Sequence, residues 1–214
     1  LLFTFSLLLF TVTAGTAMAS TSGWTNKSSF PSSAGNYNLT ANLTGQWTVP
    51  TGTTHLDLNG YGITPGGKTY AIKVPSGATL YIYNTGGTGG KIYGAKGSCV
   101  NINSGGACYL ISGTISDNNA QSDGGGVYVA ESAAFTMRGG TISGNTAPKR
   151  GGGVFVAAGG VFNLEGGTIY NCKTTSTSSG EGVGGGVYTR GTFKMTGGTI
   201  STCTASRFGG GVFS

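Results

Sequence analysis

The sequence predicts an all-β protein, a single right-handed parallel β-helix with three short strands per turn and about six turns. Three observations predict it. A GGTI-like unit returns at nearly constant spacing, a GGGV unit returns with it, and each period holds three short segments in which apolar and polar residues alternate. Composition agrees. Of 214 residues, 43 are glycine and only 8% are charged, against about 25% in ordinary globular domains. Ser, Thr and Asn carry the polarity instead, and no stretch after residue 20 sustains a helical apolar period.

The second glycine of the first unit falls at Gly113, Gly140, Gly167 and Gly198, and the valine of the second at Val127, Val154, Val187 and Val212. The commonest interval is 27 residues. It lengthens between Val154 and Val187, where TSTSSGEGV stands in place of PKR. A fixed period of this kind marks a solenoid, whose turns bury their apolar faces only against each other. Within one period the segments are Val127-Tyr128-Val129, Phe135-Thr136-Met137 and Thr141-Ile142-Ser143. Alternation marks strands, and the glycines between them mark bends. The expected hand follows from the near-universal right-handed crossover of parallel strands.

The elements follow in order. Residues 1–19 read as a secretory signal peptide truncated at its start: an apolar run too short to span a bilayer, then small residues and the Ala17-Met18-Ala19 site. The chain is therefore expected to be secreted or held at the cell surface, with no stable membrane span after cleavage. Residues 20–46 lack the pattern but carry Trp24, Phe30 and Tyr37, and are expected to cap the first turn. The β-helix is expected over 47–214. Its earlier turns read Trp47-Thr48-Val49 to Ile63, Ile72-Lys73-Val74 to Ile92, and Val100-Asn101-Ile102 to Ile115. The sequence stops at GGGVFS, one strand into a new turn, so the β-helix is expected to be incomplete at its C-terminus.

Equivalent residues of successive turns stack into columns, and each column has a readable role. Val127, Val154 and Val187, with Phe135, Phe162 and Phe193 and with Ile142, Ile169 and Ile200, are expected to form the core. Asn118, Asn145, Cys172 and Cys203 share an inward column. Cys172 and Cys203 should lie about 4.8 Å apart, inside the range of about 4.4–6.8 Å that a disulfide needs. They are the disulfide candidate, with two buried thiols as the alternative; Cys99 is expected to face outward and Cys108 inward. Lys96, Asp123 and Arg150 stack with alternating sign, as does Arg138 on Glu165, which reads as structural pairing. The middle residue of the first strand faces out and reads Asn101, Tyr128, Phe155, Tyr188 and Phe213. Tyr128, Phe155 and Tyr188 are the candidate ligand-binding residues, since exposed aromatic rows can stack on sugar rings. The other reading of the stripe is mutual stabilisation of cross-strand neighbours, or cover by a neighbouring loop such as Thr174–Val183.

LDLNGYGI (Leu56–Ile63), GATLYIY (Gly77–Tyr83), GGGVYV (Gly124–Val129) and FTMRGGTISGN (Phe135–Asn145) resemble secreted bacterial right-handed β-helix repeat proteins of the pectin-lyase-like fold. More distantly, the GGTI and I-x-x-N units resemble passengers of polymorphic outer-membrane autotransporters. The resemblance covers about residues 45–214 and implies a fold. Function does not travel with it, because that fold carries lyases, hydrolases, adhesins and proteins without activity.

The chemistry-bearing residues are few. The six acids are Asp57, Asp117, Asp123, Glu131, Glu165 and Glu181, and no two stack in one column on neighbouring turns. A glycosidase needs carboxylates that converge on one cleft. The single histidine, His55, stands beside Asp57 without a nucleophile, and no His/Cys set has metal-ligand spacing. No catalytic residue, metal or cofactor is expected. The net charge of +6 is scattered, with Lys149-Arg150 the only adjacent basic pair, which argues against nucleic acid as a partner. The expected function is a non-catalytic, exported, adhesin-like surface module whose partner is a polysaccharide or cell-envelope glycan. The alternative is a carbohydrate-active enzyme, lyase or hydrolase, or a fragment of one.

Overall fold

In the computed structural model, residues 23–214 are described; the expected signal peptide lies outside them. In the period that begins at Val127 the three segments form strands Val127–Val129, Ala134–Met137 and Thr141–Ser143. Each pairs in parallel with its equivalent one turn on, with Val127 opposite Val154, Phe135 opposite Phe162 and Ile142 opposite Ile169. Repetition builds three parallel sheets of eight, seven and seven strands and a short pair, Thr146–Ala147 with Lys173–Thr174. The result is a β-solenoid of about six turns without helices among the described residues.

Strand pairing starts earlier than the repeat does. Thr25–Lys27, Gly35–Leu39 and Leu43–Thr44 lie in the region read as a cap, yet they join the same sheets in parallel. Their side chains also cover the first turn. Phe30 stacks on Trp47 with ring centroids 6.0 Å apart, and Trp47 Nε1 donates to the Pro31 carbonyl at 2.9 Å.

The inward columns are the core. Val127, Val154, Val187, Phe135, Phe162, Ile142 and Ile169 are all fully buried. Phe193 and Ile200, on the last complete turn, are only partly buried. Burying one such side chain contributes about 1.5–3 kcal/mol. The asparagines at the corner are satisfied along the stack. Asn118 Oδ1 accepts from the Ala95 amide, Asn118 Nδ2 donates to Asn145 Oδ1 at 2.8 Å, and Asn145 Nδ2 donates to the Ile115 carbonyl.

Two backbone features explain why glycine recurs. At Gly152 a Cβ would stand 2.4 Å from the Gly185 carbonyl oxygen of the next turn, so the GGGV corner is a place of close backbone approach. After the third strand, φ turns positive at the equivalent positions Asp117, Gly144, Asn171 and Thr202. Residues at that bend drift only among types that tolerate the left-handed region, Thr202 excepted.

One orientation differs from expectation. Cys99 is completely buried, although alternation from Val100 points it outward. Its register partner on the next turn is the third glycine of the GGGV corner, since Val100 pairs with Val127. Alternation breaks at that corner: the Ala71 and Ile72 amides both donate to the Cys99 carbonyl, and two successive side chains turn inward. Cys108 faces inward, as expected.

Candidate ligand-binding face

Because Val127 and Val129 point into the core, Tyr128 must leave it, and the same parity holds for Phe155 and Tyr188. The four rings Tyr128, Phe155, Tyr188 and Phe213 form one stack, with centroids 5.0, 5.4 and 5.9 Å apart and interplanar angles of 17°, 5° and 6°. These spacings follow the rise between turns, about 4.8 Å. Both faces of Phe155 and of Tyr188 therefore meet another ring, and the middle of the row is closed. Phe155 is only 5% exposed, while Tyr128 and Tyr188 are half-buried.

A second column lies beside the first. The residue that precedes GGGV sits five positions before each aromatic: Asp123, Arg150, Val183 and Phe208. Arg150, Val183 and Phe208 are bridged in parallel register. Arg150 holds Asp123 through Nε and Nη2 at 3.0 and 3.1 Å. Its guanidinium carbon lies 5.5 Å from the ring centroids of both Phe155 and Tyr188. The hydrogen bonds to Asp123 hold the Arg150 pKa above its ordinary value. The expected stacking of Asp123 on Arg150 is thus observed, and its effect is to cover Phe155.

Towards Phe213 the cover changes. The long insert over residues 175–182 folds back beside the row and is tied down. Lys149 Nζ lies 3.2 Å from Glu181 Oε1, Ser176 Oγ donates to Glu181 Oε2, and Arg207 Nη1 donates to the Ser178 carbonyl at 2.8 Å. Between this loop and the two columns lies a cleft of about 320 Å³, lined by Gly180, Val183, Tyr188, Arg207, Phe208 and Phe213. Phe208 is 56% exposed and stands 6.5 Å from Phe213. The cleft thus offers a partly exposed aromatic ring, the Arg207 guanidinium 5.4 Å from that ring's centroid, and the rings of Tyr188 and Phe213.

The sequence reading did not single out Phe208 or Arg207. The signal for Phe208 was its fixed place before GGGV. The reading also missed a second aromatic row on the neighbouring sheet. There the middle residues of the second strands run in register as His55, Tyr81 and Tyr109. Their rings stack at 4.5 and 4.4 Å. His55 Nδ1 lies 2.9 Å from Tyr83 Oη, Trp24 packs edge-on against Tyr83 at 5.7 Å, and Arg138 lies 5.3 Å from the Tyr109 centroid. Burial holds the His55 pKa below its ordinary value.

The carboxylates are occupied elsewhere. Asp123, Glu165 and Glu181 pair with Arg150, Arg138 and Lys149. Asp57 is buried and accepts from the Asn59 and Thr85 amides and the Thr85 hydroxyl. No group of three metal-ligating side chains occurs among the described residues. Cys172 and Cys203 are both free thiols in this structure, stacked one above the other on adjacent turns. The chain was compared with protein-family profiles, with curated proteins and with solved structures, and nothing matches it in any of the three.

Proposed function

We propose that this chain is a non-catalytic, exported, adhesin-like surface module that binds a neutral or weakly acidic polysaccharide in the cleft beside Tyr188, Phe208 and Phe213. The observation that carries this reading is the cleft itself: an exposed aromatic ring, a flanking arginine and a fixed loop beside the aromatic row. An apolar ring surface with a few convergent polar groups suits a sugar, whose faces are apolar and whose edge carries hydroxyls. The engagement of four of the six acids in structural bonds favours binding over glycoside hydrolysis. The resemblance to secreted pectin-lyase-like repeat proteins and autotransporter passengers supports the exported setting. Each sugar contact contributes on the order of 1 kcal/mol, so binding is weak for one module and useful when many act together.

The test is a glycan array probed with the chain, run beside an assay for unsaturated or reducing sugar products. Retention on neutral or weakly acidic glycans without product is the expected result. Product formation would replace this reading with that of a carbohydrate-active enzyme.

A further inference from the structure

We propose that Cys172 and Cys203 form an exchangeable dithiol that reacts with small disulfides and closes a reversible cross-link between adjacent turns. Three observations carry it. The first is register. Tyr170 pairs with Ser201 and Lys173 is bridged to Thr204, so the residues between them, Cys172 and Cys203, are direct neighbours across two turns. The Thr204 amide donates to the Cys172 carbonyl at 2.9 Å, which fixes the backbones at that point.

The second is the difference in their surroundings. Cys172 is completely buried and Cys203 is partly exposed. Around Cys172, the Tyr170 carbonyl lies 3.4 Å from Sγ and Asn145 Nδ2 lies 3.8 Å from it. Each thiol acts on the other: neighbouring Cys203, together with burial, pushes Cys172 up, and neighbouring Cys172 pulls the Cys203 pKa below the ordinary thiol value. The pair thus has a partly exposed thiol and a buried one in register beside it, the division of labour that thiol exchange requires. The third observation is the contrast with the other cysteines. Cys99 and Cys108 are fully buried, and burial pushes both thiols up, so the same chain carries its own unreactive controls.

The chemistry balances with a small disulfide as the oxidant. The Cys203 thiolate attacks one sulfur of R–S–S–R; a Cys203–S–S–R bond forms, the R–S–S–R bond breaks, and RS⁻ leaves and takes a proton from solvent. Cys172 then loses its proton and attacks Cys203 Sγ. The Cys172–Cys203 bond forms and the second RS⁻ departs and is protonated. Two protein thiols are oxidised, and one small disulfide is reduced to two thiols. The strand spacing of about 4.8 Å lies inside the Cα range of about 4.4–6.8 Å that a disulfide spans. Cys203 is partly exposed, which leaves the closed bond open to exchange.

The experiment treats the chain with oxidised glutathione near pH 8 and reads intact mass and a non-reduced digest. Wild-type protein is expected to lose the mass of two hydrogens, to yield a Cys172–Cys203 linked peptide, and to revert with reduced glutathione. Cys172→Ser and Cys172→Ala are expected to stop at a stable glutathione adduct on Cys203. Cys203→Ser is expected to form neither product. A wild-type chain that keeps glutathione on Cys203, that stays unreacted where the unfolded chain reacts, or that is modified at Cys99 or Cys108 would overturn the proposal. The wild-type reaction decides the matter even if a variant fails to fold, and it is independent of glycan binding.

Discussion

Beside the late row, Tyr128 to Phe213, Arg150 grips Asp123 through two nitrogens and lies over Phe155 and Tyr188. Beside the early row, His55 to Tyr109, Arg138 reaches Glu165 through one nitrogen at 3.0 Å and lies over Tyr109 alone. The side chains of the first pair are 27% and 13% exposed, and those of the second 52% and 42%. The components are the same, an aromatic row with an arginine–carboxylate pair across it, yet Phe155 is covered while every ring of the other row stays partly exposed. The difference lies in the bend. The GGGV corner turns so tightly that the residue before it comes back against the aromatic ring five positions later. No such corner folds against His55, Tyr81 and Tyr109. An outward-facing residue on a solenoid is therefore exposed or covered according to its nearest corner, and alternation along the strand does not decide it.

The largest expected effect of this difference is on stability. Phe155→Ala empties a covered site and is expected to cost about 3 kcal/mol. Tyr109→Ala removes a half-exposed ring from a cross-strand row and is expected to cost about 1 kcal/mol or less. Urea unfolding of the two variants compares them directly, and equal costs would erase the distinction between the rows.

The arginines should differ in the same direction. Arg150→Ala leaves a largely covered Asp123 without its partner and is expected to cost about 1–2 kcal/mol. Arg138→Ala breaks an exposed pair and is expected to cost less than about 0.5 kcal/mol. Thermal melting at low and high salt sharpens the contrast, because screening weakens the exposed pair more.

A smaller effect concerns His55, the only histidine in the chain. Burial favours its neutral form, so its pKa in the folded protein lies below the ordinary 6.5. The stability tied to that neutral form is present above pH 6.5 and is lost as pH falls through the folded value. Its imidazole signal in NMR is expected to titrate with a midpoint below 6.5. A midpoint above 6.5 would mean that attraction of the imidazolium to the stacked Tyr81 ring outweighs burial.

Much of this was legible in the sequence. The period, the inward columns at Val127, Phe135 and Ile142, the asparagine stack, and the Asp123–Arg150 and Arg138–Glu165 pairs all follow from spacing and alternation, which the sheets obey strictly. What was not legible sits at the corners. Cys99 turned inward because alternation stops where the chain bends. Phe155 was expected in the open and is covered, because coverage comes from Arg150, a residue of the preceding corner. Phe208 and Arg207 escaped notice because a cleft depends on how the insert at 175–182 folds back, and no neighbouring turn repeats that insert. Tyr81 and Tyr109 were visible in the sequence at the same period as the other row. Their middle position in the second strands marks them, but their turns precede the GGGV units that fix the register of the first row.

The central claim is that the ligand face lies in the cleft beside Tyr188, Phe208 and Phe213. Two double variants test it most directly, each measured for affinity towards the glycan that the wild-type chain retains most strongly on an array. Tyr188→Ala with Phe208→Ala is expected to weaken binding at least about tenfold, equivalent to about 1.4 kcal/mol, while Tyr81→Ala with Tyr109→Ala leaves it unchanged. Full retention by the first pair, or loss confined to the second, would contradict the claim and move the binding face to the early row.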